Sequence, residues 1–312
     1  MGIESPRTFA ERDAREQRRV ELDGEVESYA KIRENVFAQM LDEKRKKKYK
    51  WFLRGIGALK LVTDTKEQAG VIENFYVAMR YIDDVVDGDV KPPEGYTPIQ
   101  YVKEKIEFVE TDRPPKDDIE KLISLSFRLG TEFGHDYHED AKDIIGSLLF
   151  DAERRGTHTI FDEKTLHDHF YALDIKGTIK GALKVVGENM NLYEVIEPLG
   201  EAVRIYYNLR DFRDDIQAGL VNISSEDCER FHITKDTLKS GGYATHMGVH
   251  AWFIDQAKKG LALMDEYHKK KEGVTMRPAT EATLKLGFER KAKSFMTAVA
   301  AGKFEKILGK AA

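Results

Sequence analysis

Apolar residues recur along this chain at three- and four-residue steps, the period of a helix lying on a core. The clearest run is 67–87, where Val71, Ile72, Phe75, Ala78, Met79 and Ile82 keep that spacing. Pro92 and Pro93 in KPPEGYTP end it, because proline lacks the amide hydrogen the helical ladder needs. Similar patterns predict helices at 25–50, 99–110, 116–135, 138–155, 163–191, 195–218, 244–271 and 280–307. Apolar–polar alternation, the mark of a strand, is nearly absent. The pattern predicts a single all-α bundle, with a charged helical extension at 1–49 ahead of a main domain at 50–312.

Composition narrows the function. The 50 basic and 55 acidic residues give a net charge of −5, which argues against a dedicated nucleic-acid binder. No apolar run approaches the ~18 residues of a membrane span. The N-terminal run MGIESPRTFAERDAREQRRVEL is too charged for a secretory signal. Cys228 is the one cysteine, so an intrachain disulfide and a cysteine metal cage are excluded, and a cytoplasmic home is expected. The block KRKKKYK at Lys44–Lys50 reads either as a solvated helix end or as a patch docking on an anionic membrane surface. The apolar Trp51, Phe52 and Leu53 follow it directly.

Two aspartate clusters carry the chemistry. In RYIDDVVDGD, Asp83 and Asp87 are one helical turn apart and share a face with Tyr76 and Arg80, with Asp84 at the edge. In YYNLRDFRDD, 128 residues further on, Tyr207, Asp211 and Asp215 repeat the arrangement, flanked by Arg204, Arg210 and Asp214. Like charges one turn apart weaken a helix, and buried carboxylates need a counter-charge. Two such stripes facing each other across a bundle would offer their carboxylates to Mg²⁺, which is usually completed by substrate phosphate. The arginines are forked donors for phosphate oxygens. The combination reads as a clamp for a departing diphosphate, with Tyr76, Tyr171 and Tyr207 offering ring faces to the carbocation left behind.

Other motifs are weaker. The run 83–94 approaches an EF-hand loop, but Val85 holds its third position and the prolines crowd its end. Glu132-x-x-His135 and Glu229-x-x-His232 imitate di-iron ligands, yet the second lies in a loop-like stretch. Gly55-x-Gly57 has neither a preceding strand nor a third glycine, so it is not a dinucleotide fingerprint.

FYVAMRYIDDVVD and NLRDFRDDIQAG resemble the two aspartate-rich motifs of the squalene/phytoene synthases, and DAERRGTHTIFDEKTLHDHFYALDIKGTIKG resembles the segment between them. The resemblance spans about residues 50–300. It implies the isoprenoid synthase bundle with a central cavity. The implied activity is head-to-head joining of two prenyl diphosphates, farnesyl or geranylgeranyl, with two or three Mg²⁺ ions. By the resemblance, Asp83, Asp87, Asp211 and Asp215 would hold the metals and Arg80 and Arg210 the diphosphates; Asp84 joins the metal candidates, and Arg204 and Lys180 the diphosphate candidates, as residues of this chain. Tyr76 and Tyr171 match tyrosines that would serve the cation, with Tyr207 of the second stripe a further candidate from this chain's own pattern, while Ile175 and Ile179 would line the chain tunnel. NADPH is compatible with such a protein even without the fingerprint. The chain departs from the family where Tyr207 replaces Asn, Arg204 replaces Gln and Gly219-Leu220-Val221-Asn222 replaces Gly-Arg-x-Tyr. Gly177-Thr178-Ile179-Lys180 replaces Gly-x-Val-Gly. Those changes fall on the second-substrate half. They raise a single-substrate terpene synthase, and a prenyl-lipid-binding relative without turnover, as alternatives.

Overall fold

The computed structural model describes residues 6–41, 66–111 and 113–309. The Lys44–Lys50 block and Gly55-x-Gly57 lie outside them. Among the described residues there are helices and no strands. In order they are α1 (Pro6–Met40), α2 (Lys66–Val86), α3 (Pro98–Thr111), α4 (Asp118–Glu132), α5 (His138–Arg154) and α6 (Glu163–Phe170). A π-helical stretch, Tyr171–Ile179, leads into α7 (Lys180–Val185) and then α8 (Leu192–Gln217). The short α9 (Ser225–Arg230) and α10 (Lys235–Lys239) precede the long α11 (Met247–Lys271). The chain ends with α12 (Pro278–Thr283), a second π stretch, α13 (Arg290–Ala300) and α14 (Glu305–Leu308).

The three-four periodicity becomes a core in two parts. Val71, Ala78, Ile82 and Val85 of α2 bury their side chains with α3, α4 and α5, and Val36 and Met40 of α1 join them. Leu199, Val203, Leu209 and Phe212 of α8 pack with Trp252, Phe253 and Met264 of α11 and with Met296 of α13. Helix α5 and the first π stretch lie between these halves: α5 contacts α2 on one side, and the π stretch contacts α8 on the other. They cross closely at Gly177, where a Cβ would stand 2.3 Å from Ile144 Cγ1. The α5–π pair is therefore the spacer that sets how far α2 lies from α8.

Helix ends follow local chemistry. Asp117 accepts the Glu120 amide at 2.8 Å, and Asp162 accepts that of Thr165 at 2.8 Å, so both cap helix starts. The expected helix at 163–191 stops at Val185, because the backbone turns left-handed at Gly187. The helix expected at 280–307 breaks after Ala300, with Gly302 likewise left-handed. The first helix runs from Pro6 rather than from residue 25. The stretch Ser225–Lys239, expected as loop, forms two short helices capped by Ser224 and Thr234. No described helix is long and apolar enough to cross a membrane.

Candidate active site

The first acidic stripe is the last turn of α2. Arg80 pairs with Asp83 and reaches Asp84 at 2.7 Å. Asp84 is fully buried beneath the stripe rather than at its open edge. Asp83 keeps 30% of its side-chain surface, and its carboxyl is raised to about 7. Burial is the main cause, with Arg80 opposing and the charges of Asp87, Asp84 and Asp151 adding. Asp87 is raised as well, by burial and against Arg155 and Arg80. Arg155 donates to Asp87 Oδ1 at 3.1 Å and to its carbonyl at 2.7 Å.

The second stripe is the last two turns of α8. Arg210 Nε donates to Asp211 at 2.7 Å, and the Arg210 guanidinium lies 4.6 Å above the Tyr207 ring. Burial raises the Tyr207 hydroxyl against the pull of that guanidinium. Asp215 accepts from Asn222 Nδ2 at 2.9 Å and is raised to about 7 by burial, then by Asp211 and Asp151.

The end of α5 ties the stripes together. Asp151 is felt electrostatically by both Asp83 and Asp215, although these belong to different halves of the bundle. It is itself held at about 2: burial pushes it up, but His169 and Arg154 more than compensate. His169 Nε2 lies 3.2 Å from Asp151, and Arg154 Nε donates to it at 2.7 Å. Arg154 also donates to Asn222 at 2.8 Å and to the Val221 carbonyl at 3.1 Å, so one side chain links Asp151 to the loop that holds Asp215. Its neighbour Arg155 holds Asp87. The sequence reading did not single out Asp151, Arg154 or Arg155. The available signal was Asp-x-x-Arg-Arg at the end of a helix lying between the two motifs in the chain.

A cavity of about 140 Å³ opens beside the second stripe. Phe170, Tyr171, Asp174 and Ile175 line one wall, and Arg204 and Asn208 the other. Asn222 reaches both this cavity and Asp215. Of the two expected tunnel residues, Ile175 lines this cavity and Ile179 does not, and both pack over Gly200. Tyr171 faces the cavity, its ring stacked on His167 and its hydroxyl raised by burial and by Glu197. Tyr76 packs half-buried against the first core cluster and does not line the cavity. Lys180 sits 4.2 Å above the Tyr193 ring and near Asp143, and none of these contacts is to an acidic stripe. The Glu-x-x-His residues do not converge: Glu132 accepts from Arg18 at 2.9 Å, and His232 is exposed in the turn that follows α9.

Among the described residues no three acidic, histidine or cysteine side chains converge as a self-sufficient metal cage. Mg²⁺ asks for less, usually one or two carboxylates plus phosphate oxygens and water. Each stripe supplies a carboxylate pair one turn apart. The raised Asp83 and Asp215 mark positions where added positive charge is favourable. The donor set therefore fits a hard divalent cation in ligand type and in charge.

No protein-family description matches this chain, and no curated protein matches it. Solved structures do. The squalene synthase HpnC from Alicyclobacillus acidocaldarius aligns over 91% of this chain and 96% of its own, at 15% identity and a TM-score of 0.65. A dehydrosqualene synthase in complex with ligand aligns over 89% of each chain, at 17% identity and a TM-score of 0.59. This chain has the all-α fold of those synthases.

Proposed function

We propose that the protein is a divergent member of the squalene/phytoene synthase family that ionises a prenyl diphosphate with Mg²⁺. The observation that supports this reading is the hydrogen-bonded link between the two acidic helix ends: Arg155 donates to Asp87, and its neighbour Arg154 donates to Asp151 and to Asn222, which in turn donates to Asp215. Asp83 and Asp87 would hold metal on one side, Asp211 and Asp215 on the other, with Asp84 beneath the first pair fixing Arg80. Bound Mg²⁺ would neutralise charge developing on the leaving diphosphate. Arg80 and Arg210 stand beside the stripes and would exchange a carboxylate partner for phosphate oxygens. Tyr171 lines the cavity where positive charge would remain on the prenyl chain, whereas the Tyr207 ring is covered by the Arg210 guanidinium. The fold favours condensation of two prenyl diphosphates as the outcome.

A second reading has its own support. The small volume of the cavity beside α8, about 140 Å³, and the altered second-substrate positions, Arg204 and Tyr207, favour a single-substrate terpene synthase. Incubation with C10, C15 and C20 diphosphates plus Mg²⁺, followed by diphosphate assay and mass analysis, separates the two. A doubled carbon count identifies condensation, and an undoubled one identifies cyclisation or elimination. No diphosphate release from any substrate would refute both.

A further inference from the structure

The cavity runs along α8 from Gly200 to Asn208, and Asp211 and Asp215 continue the same helix beyond it. Arg204 stands midway. Its Nε and Nη2 donate to the two oxygens of Asp174 at 2.5 and 2.7 Å. Its guanidinium also lies 4.6 Å over the Phe170 ring, which fixes its plane. Asp174 belongs to the π stretch, so this forked ion pair crosses from one cavity wall to the other. Past it, Ile175 and Ile179 close over α8: a Cβ on Gly200 would stand 2.5 and 2.6 Å from their Cδ1 atoms. The pair thus stands within the lining of the cavity, with Gly200 and Glu201 on one side of it along α8 and Asn208 on the other.

At 1.5 Å of rise per residue, Arg204 lies about 10 Å from Asp211 along the helix axis. A chain anchored by its diphosphate at Asp211 and Asp215 meets the ion pair within that span. Arg204 and Asp174 keep 21% and 23% of their side-chain surface. An apolar chain threading past would strip that remaining contact and press carbon against two charges.

We propose that the Arg204–Asp174 pair is a chain-length barrier, which makes C10 prenyl diphosphates the substrate class of this cavity and turns away C15 and C20 chains. The proposal rests on the diphosphate site described above. It assigns Arg204 to selecting the chain through its pairing with Asp174.

The test uses binding, so that it does not depend on turnover. Non-hydrolysable C10, C15 and C20 thiolodiphosphates are titrated calorimetrically with Mg²⁺ into the wild type and two double variants. Arg204→Ala/Asp174→Ala removes both charges together and opens the cavity. Arg204→Gln/Asp174→Asn keeps the volume and carries the test should the first variant not fold. The wild type is expected to bind C10 about tenfold more tightly than C15 or C20. The alanine pair is expected to bring C15 to at least parity with C10, and the amide pair to narrow the gap. Equal wild-type affinity for C20 and C10, or an unchanged preference in a folded variant, overturns the barrier. Binding of no chain overturns both the barrier and the diphosphate site. Chain selection without diphosphate release leaves the barrier standing and removes the catalytic reading.

Discussion

Gly219 lies against Gly156 so closely that a Cβ on Gly219 would stand 2.4 Å from the Gly156 Cα. The contact is backbone on backbone: the Gly156 amide donates to the Ala218 carbonyl at 2.9 Å, and the His158 amide to the Gly219 carbonyl at 3.0 Å. It joins the end of α5 to the end of α8, one residue past Arg155 and four past Asp215. Gly219 also has a φ of +76°, which disfavours any side chain. Gly219→Ala is expected to cost about 1–3 kcal/mol and to lower the melting temperature by several degrees. It should also reduce diphosphate release, because the loop beyond Gly219 carries Asn222. A wild-type melting temperature would show that the two helix ends are not locked at this point.

Removing one carboxylate from either stripe should cripple chemistry without unfolding the chain. Asp83→Ala and Asp211→Ala are each expected to lower diphosphate release by about 10²–10³-fold, the usual effect of losing one group that stabilises developing charge. Circular dichroism should remain unchanged. Normal turnover in either variant would remove that stripe from the mechanism.

The raised carboxylates predict how pH and metal act on stability. Asp83 and Asp215 are protonated up to about 7 when folded, and only to the ordinary carboxylate range when unfolded. The folded state therefore binds more protons in between, and stability without metal should fall as pH rises from about 4 to about 7. Mg²⁺ competes with those protons, so it should raise the melting temperature more at pH 8 than at pH 5. The contrast should shrink in Asp83→Asn/Asp215→Asn. An Mg²⁺ effect independent of pH would speak against these carboxylates as ligands.

Asp151→Asn tests the junction itself. Losing its charge removes one shared cause of the raised values at Asp83 and Asp215, so both should titrate lower in carboxyl carbon NMR. The variant also leaves Arg154 and His169 without their buried acid, which should cost about 3–5 kcal/mol. A shift at one aspartate alone would mean that Asp151 does not sit between the stripes.

Much of this architecture was legible because amphipathic periodicity survives in α2, α3, α4, α5 and α11, whose observed spans lie within a few residues of the predicted ones. The acidic stripes were visible for the same reason, as four-residue spacing is a property of the helix alone. What escaped depends on contacts between distant segments. Asp151, Arg154 and His169 look like ordinary helix polar residues until α5 and α6 pack. Asp84 looks like a stripe-edge carboxylate, whereas packing buries it under Arg80. Lys180 falls within a motif-like stretch, yet its helix carries it to Tyr193. The stop at Val185 depends on one left-handed glycine, a weak signal against a long apolar pattern.

The most direct test of the two-stripe site is Mn²⁺ binding followed by electron paramagnetic resonance, with and without inorganic diphosphate. Diphosphate is expected to tighten Mn²⁺ binding in the wild type, because both stripes then share one anion. Asp83→Ala and Asp211→Ala should each abolish that tightening, although they lie on helices from different halves of the bundle. If either variant keeps the full diphosphate effect, the two helix ends do not form one site.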